Sequence, residues 1–304
     1  MIIKAPIDLE LTQFSGQTSQ PPWKQVGDSF RQAILVDDKP VIFEVKQDGE
    51  GLDFNFEGEI SQRQAISRLN YIFDLDFDLS GFYKYLDNHE ELKDMSRFCN
   101  GLRLFLAPDP FECIISSICS ANNSIKRWTK SVDDIKQNWG NRHGNYYTFP
   151  QSSDLAKAYL DDEDEFNSSN IQDICDCNNN LKSCGVGYRA PYMRRASELF
   201  TLEINLNEIF EMSYDEAFET VLQVPGVGPK VADCILLYGF NFREAFPSDV
   251  WIKRIVSYLY FDGKEISVPK VREFGMEEFG DMAGYVQLYM FHYARMSGLM
   301  SKLK

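Results

Sequence analysis

The chain is short of positive charge. Its 304 residues carry 31 Lys and Arg against 46 Asp and Glu, a formal net charge of −15. Taken over the whole molecule this opposes a polyanionic partner, because phosphate binding depends on local positive charge and counterion release. Long apolar runs are also missing. No stretch of eighteen apolar residues occurs, and MIIKAPIDLELTQ is not a charged-then-apolar leader, so neither a membrane span nor a secretory signal is expected. There is no disulfide framework either. The seven cysteines, at 99, 113, 119, 175, 177, 184 and 234, are odd in number and scattered, which suits a reducing cytosol. Cys175-Asp176-Cys177 has no second pair nearby and no histidine ligands, so no metal site and no cofactor are expected.

With 44% hydrophobic and 14% aromatic residues, the chain can bury a sizeable core in about two domains. Charge is unevenly spread. Five acids occupy 161–165, whereas Lys182, Arg189, Arg194 and Arg195 lie in a stretch free of acid, and Lys126, Arg127 and Lys130 form a second basic group. A basic face on an acidic body is compatible with that pattern.

Residues 1–107 read as an α+β unit. Val41, Phe43 and Val45 alternate with polar neighbours, as do Leu52, Phe54 and Phe56, and Asp48-Gly49-Glu50-Gly51 between them is turn chemistry, which predicts a half-buried antiparallel hairpin. Gln62 to Phe73 and Leu79 to Leu86 switch to helical spacing. Residues 108–304 are predicted to be mainly helical, with a buried helix from Phe111 to Cys119, a break at Asn122-Asn123 and an amphipathic helix running on to Trp139.

The stretch from Leu222 to Val256 organises the rest. A helical run from Tyr214 stops at Val224-Pro225-Gly226-Val227-Gly228, where proline and two glycines permit a tight hairpin, and Pro229 suits the first turn of the next helix. Gly226 and Gly228 leave backbone N–H groups uncovered beside a helix N-terminus, an arrangement that holds phosphate without side-chain charge. Lys230 and Cys234 share one helical face. Read from the residues alone, Lys230 is either a nucleophile or a phosphate-contacting lysine, and Asp249 either a catalytic carboxylate or the N-cap of a helix from Val250. In the last helix Gln287 interrupts the apolar stripe of Ala283, Val286, Met290, Phe291 and Ala294, and a glutamine on a buried face needs partners.

PGVGPKVADC, with Asp249 nineteen residues after Lys230 in FPSDV, resembles the helix-hairpin-helix (HhH-GPD) DNA glycosylases and is similar to their 8-oxoguanine glycosylase/AP lyase branch. The resemblance runs in islands through 108–296 and implies an N-terminal antiparallel sheet domain followed by a helical glycosylase core. It makes Lys230 the nucleophile and Asp249 its carboxylate partner. It gives the Gly16 carbonyl, in Phe14-Ser15-Gly16-Gln17, the N7–H of 8-oxoguanine, a proton guanine lacks. It places Gln287 on the Watson–Crick edge of the flipped base, with Phe291 and Cys234 on its two faces. Asn122 then fills the gap left in the duplex, Arg127 and Arg189 contact the widowed cytosine, and Tyr188 wedges into the stack.

Three features depart from the pattern. Thr18 to Trp23 leaves the usual continuation after Gly16. Trp251 stands where eukaryotic members often have histidine, and Tyr238 where a smaller apolar residue is common. No cysteine follows Cys234, which disfavours the branches holding an iron–sulfur cluster. The resemblance therefore implies a metal-independent, bifunctional glycosylase/lyase acting on double-stranded DNA with an oxidised purine. It is expected to be a monomer without membrane attachment, cytoplasmic and nucleoid-associated in a prokaryote or nuclear in a eukaryote. The alternatives are a monofunctional alkyl- or oxidised-purine glycosylase and a non-catalytic helix-hairpin-helix DNA-binding protein. Attack by Lys230 needs a neutral amine, so its pKa is expected to fall well below the usual lysine value through nearby positive dipoles and the desolvation that burial under the flipped nucleotide brings.

Overall fold

A computed structural model describes residues 1–160 and 179–303. The acidic run at 161–165 and the pair Cys175 and Cys177 lie outside the described residues. The N-terminal unit is a five-stranded antiparallel sheet in the order β1-β5-β4-β3-β2, formed by β1 (Ile2–Ile3), β2 (Lys24–Val26), β3 (Ser29–Val36), β4 (Lys39–Asp48) and β5 (Gly51–Glu57). Its predicted hairpin forms in register: Asp48 faces Gly51, Val45 faces Phe54 and Phe43 faces Phe56. Alternation puts Val41, Phe43, Val45, Leu52 and Phe54 on the buried face, each such burial contributing about 1.5–3 kcal/mol. The short α1 (Leu9–Gln13) precedes the sheet's long strands, and α2 (Gln62–Ile72) closes the face. A Ser61/Gln64 capping box starts α2.

The remaining helices are α3 (Leu79–Asp87), α4 (Lys93–Phe98), α5 (Pro110–Ser120), α6 (Ile125–Trp139), α7 (Ser152–Leu155), α8 (Ala190–Leu202), α9 (Leu206–Ile209), α10 (Tyr214–Leu222), α11 (Pro229–Phe240), α12 (Val250–Tyr260), α13 (Val268–Phe279), α14 (Ala283–Met296) and α15 (Leu299–Lys302). A two-stranded ribbon, β6 (Arg142–His143) with β7 (Tyr146–Tyr147), follows α6. There are two apolar cores. The sheet, Trp23, α2 and Phe105 make one; α5 to α14 make the other, and α3 and α4 contribute their buried residues to that second core although they precede residue 107.

The segment 15–20 ties the two cores together. Gln17 donates to the carbonyl of Arg103 at 2.9 Å and accepts from the amide of Phe105 at 2.8 Å, Gln20 donates to the carbonyl of Leu106 at 2.7 Å, and Ser19 bonds the carbonyl of Phe105. Side-chain amides here take the place of a neighbouring strand's backbone. This stitch is the stretch where the family pattern lapses, and it sets Gly16 against the helical core.

Candidate active site

α10 and α11 form the hairpin. A Ser213/Glu216 capping box starts α10, and Pro229 occupies the first turn of α11, whose cap Gly228 makes no side-chain bond. Gly226 has φ +82°, and a β-carbon on it would lie 2.8 Å from Cγ of Tyr192 on α8, so both its backbone angle and its surroundings demand glycine. Gly228 is different. Its φ is −99° and a β-carbon there would meet nothing within 4 Å, so its bareness serves whatever approaches from outside. Both glycines are exposed.

Lys230, one residue into α11, is half-buried, and Cys234 one turn on acts on its ammonium. Cys234 is buried, Thr18 acts on its thiol, and the Thr18 hydroxyl itself lies 3.3 Å from that of Ser117 on α5. Asp249 caps α12 as its position predicts: Oδ1 accepts from the amides of Trp251 at 2.8 Å and Ile252 at 2.9 Å. It also lies close enough for its charge to act on the Lys230 ammonium.

The expected fall in the Lys230 pKa, tied to burial under a flipped nucleotide, is not a property of the free protein. There the pKa is raised, not lowered. Cys234 raises it most, burial acts downwards, and Asp249 and Asp233 add to the rise. Burial in turn pushes the Cys234 thiol up, opposed by Lys230 and Thr18. Desolvation is present as expected, but acids gathered at the foot of α11 outweigh it.

On α14, Gln287, Phe291 and Arg295 follow one another at four-residue spacing and so share a face. Gln287 is buried, and its Oε1 finds no hydrogen-bond partner among the described residues. Phe291 is half-buried, with the Arg295 guanidinium 5.8 Å from its ring centroid. Gly16, at φ +88°, sits against this face: a β-carbon on it would lie 2.7 Å from Cδ1 of Ile125 and 2.9 Å from Nη1 of Arg295. The loop bearing Gly16 and Thr18 thus touches α14, the start of α6 and Cys234 on α11.

Asn122, at φ +51°, is exposed in the turn between α5 and α6, and Arg127 is exposed in the first turns of α6. Lys126 and Arg127 have no ion-pair partner among the described residues, and Ser124 gives α6 no side-chain cap. Cations at an uncapped helix N-terminus oppose its dipole, a local penalty that suits an anion-facing surface. Tyr188 is 61% exposed, with the Arg189 guanidinium 4.4 Å from its ring centroid.

Arg189 is held by the protein's own backbone. It is buried, and its fork holds backbone carbonyls: Nε donates to Ala121 at 2.9 Å, Nη2 to Ala121 and, at 3.0 Å, to Asn122, and Nη1 to Val186 at 3.3 Å. It shapes the loop that presents Asn122, while Arg127 is the one turned outward. The basic face is also narrower than the sequence implies, since Arg194 and Arg195 pair with Glu198 and Lys130 with Asp134.

Thr18 and Arg295 escaped the sequence reading. Thr18 falls in the lapse after Gly16. Arg295 lies eight residues after Gln287 and four after Phe291, so extending the helical stripe by one turn would have reached it. Trp251 is 37% exposed, and Arg254 lays its guanidinium 5.1 Å from the indole centroid. Tyr238 is buried between the cores, its carbonyl bonded by the amide of Ala107 at 2.9 Å. Among the described residues no three His, Cys, Asp or Glu side chains gather as for a metal ion, and no helix is long and apolar enough to cross a membrane.

A glycine hairpin feeding a lysine-bearing helix, a capping aspartate beside that lysine and an antiparallel sheet unit in front define the helix-hairpin-helix class of base-excision scaffold. Comparison with known proteins agrees. Residues 1–114 match the 8-oxoguanine DNA glycosylase N-terminal domain and residues 115–280 the HhH-GPD superfamily base excision DNA repair protein family, and the chain belongs to that superfamily. It is 45% identical over 306 residues to a probable N-glycosylase/DNA lyase of Methanothermobacter thermautotrophicus, covering 98% of this chain and 96% of the other. Among solved structures it is similar to MBOgg1 in complex with a low-affinity DNA ligand (TM-score 0.80, 29% identity, 98% of this chain and 99% of that one). A second is the Clostridium acetobutylicum 8-oxoguanine glycosylase/lyase in complex with double-stranded DNA containing cytosine opposite 8-oxoguanine (TM-score 0.78, 27% identity, 98% of each chain).

Proposed function

We propose that the chain is a bifunctional DNA glycosylase/AP lyase that extrudes 8-oxoguanine from opposite cytosine and excises it through a Schiff base on Lys230, acting as a monomer without a metal. The carrying observation is Lys230 itself, half-buried at the start of α11 with Cys234 and Asp249 both acting on its charge. A glycosylase that uses water needs only a carboxylate; an amine in this position supports covalent chemistry.

Unstacking a base requires a few kcal/mol. Asn122 on the loop that Arg189 braces, Tyr188 beside Arg189 and Arg127 on α6 offset it by filling the gap and contacting the widowed cytosine. The base enters between Phe291 and Cys234, where the unpartnered Oε1 of Gln287 meets its Watson–Crick edge. Lys230, once neutral, attacks C1′ as the glycosidic bond breaks, and Asp249 stabilises the positive charge that develops on the sugar. Opening of the sugar ring, in which the C1′–O4′ bond breaks and O4′ takes a proton, converts the adduct to an imine. Removal of a proton from C2′ then expels the 3′ phosphate and cuts the strand.

The test is borohydride trapping on a duplex with 8-oxoguanine opposite cytosine, in EDTA, beside Lys230→Gln. A covalent adduct from the wild type alone is the expected result. Release of free base without an adduct would make the enzyme monofunctional, and DNA binding without either would reduce it to a binding protein.

A further inference from the structure

Arg295 is a cation with no assigned work. Among the described residues no carboxylate pairs with it, and burial alone acts on its pKa, downwards. Its one hydrogen bond among the described residues is long, from Nη2 to the carbonyl of Phe14 at 3.5 Å. Yet Nη1 adjoins the backbone of Gly16, and the guanidinium overhangs the edge of Phe291. A half-buried guanidinium is not kept this way for stability, since surrendering water without gaining an anion is unfavourable. Its free N–H groups point to an acceptor supplied from outside.

The pocket's other polar groups narrow what that acceptor is. Guanine presents O6 and N7, both acceptors, and then C8–H. 8-Oxoguanine presents O6, a donor at N7–H, and a second carbonyl oxygen at C8. The Gly16 carbonyl suits N7–H but says nothing of the oxygen beside it. We propose that Arg295 is a specificity-determining residue whose guanidinium donates to the C8 carbonyl oxygen of the flipped base, so that Gly16 and Arg295 together read the acceptor and donor that oxidation creates. This rests on the substrate proposed above. Guanidinium accepts no hydrogen bond, so it adds nothing for a base with C–H at that position.

The experiment compares two reactions of the same protein: release of 8-oxoguanine and cleavage of a preformed abasic site, both opposite cytosine under single turnover. The abasic substrate carries no base for Arg295 to read. Arg295→Met is expected to slow base release roughly ten- to a hundred-fold, the effect of losing a hydrogen bond from a charged donor, while abasic cleavage and the thermal midpoint stay at wild-type values. Arg295→Lys, which keeps a donor but not the fork, should recover part of the loss. Free 8-oxoguanine should bind Arg295→Met more weakly than wild type.

An equal loss in both reactions would assign Arg295 to holding the Gly16 loop and overturn the proposal, as would no loss in either. If Arg295→Met does not fold, Arg295→Lys is judged by the same ratio, and an unchanged ratio overturns it. Wild type that cleaves abasic sites but leaves 8-oxoguanine in place would reject the substrate and this assignment together, which sets that failure apart from the others.

Discussion

Lys230 holds a proton that it must lose before it can attack. The groups that raise its pKa are Cys234 first, then Asp249 and Asp233, with burial opposing them. A raised pKa means the reactive neutral amine is gained as pH rises, so single-turnover base release should climb through the neutral range into alkaline pH. Cys234→Ala removes the largest raising influence, so the rising limb should move to lower pH; a pH–rate profile checks this, and an unmoved limb would show Cys234 to be an uncharged neighbour. Lys230, Asp249 and the glycines were legible because their roles rest on near neighbours in sequence: a turn, a cap, a helix face. The Lys230 proton was not, because its sign comes from comparing burial with three acids, two of them on the same helix and one brought in by folding. Arg295 was hidden for a related reason, as its contact with Phe14 spans 281 residues.

The lysine helix is held by a buried knot on its far side. Asp233, fully buried three residues after Lys230, accepts from Nε of Arg272 on α13 at 2.7 Å, from Nη2 at 3.1 Å and from the hydroxyl of Tyr214 on α10. One carboxylate thus fixes the hairpin's two helices to α13. Removing one partner of such a pair leaves the other charge without its anion, so Asp233→Ala should destabilise the protein by roughly 3–5 kcal/mol in urea unfolding. Asp233→Leu with Arg272→Met, which removes both charges, should recover most of that. At this scale the elements themselves were readable. Helices α2, α3, α5, α10 and α11 start and stop near their predicted residues because capping boxes, prolines and glycines act locally. What tied the helices together was not, since neither Arg272 nor Tyr214 belongs to any pattern and the pairing exists only once α10, α11 and α13 have packed.

An acidic molecule that binds DNA must do so through few contacts. Of the basic groups, Arg194, Arg195 and Lys130 are already paired with acids and Arg189 is buried against carbonyls. Lys126, Arg127, Lys230 and Arg254 remain without an ion-pair partner among the described residues, beside the amides of the Gly226 to Gly228 turn, which carry no counterion-displacing charge of their own. Each phosphate neutralised contributes about 0.9 to the slope of log K against log salt, so four cations predict a slope near −3 to −4. The net charge of −15 flattens it further, because added salt also screens repulsion between the acidic body and DNA. Specific recognition must then come from the flipped base and the widowed cytosine more than from the backbone, so undamaged duplex should bind far more weakly than a lesion-bearing one at every salt concentration. A titration of Lys230→Gln against both duplexes across a salt series measures this, with the slope lowered by about 0.9 for the cation removed. A slope steeper than about −6 would mean more phosphate contacts than these cations supply, and would require the arginines of α8 to leave their glutamates when DNA arrives.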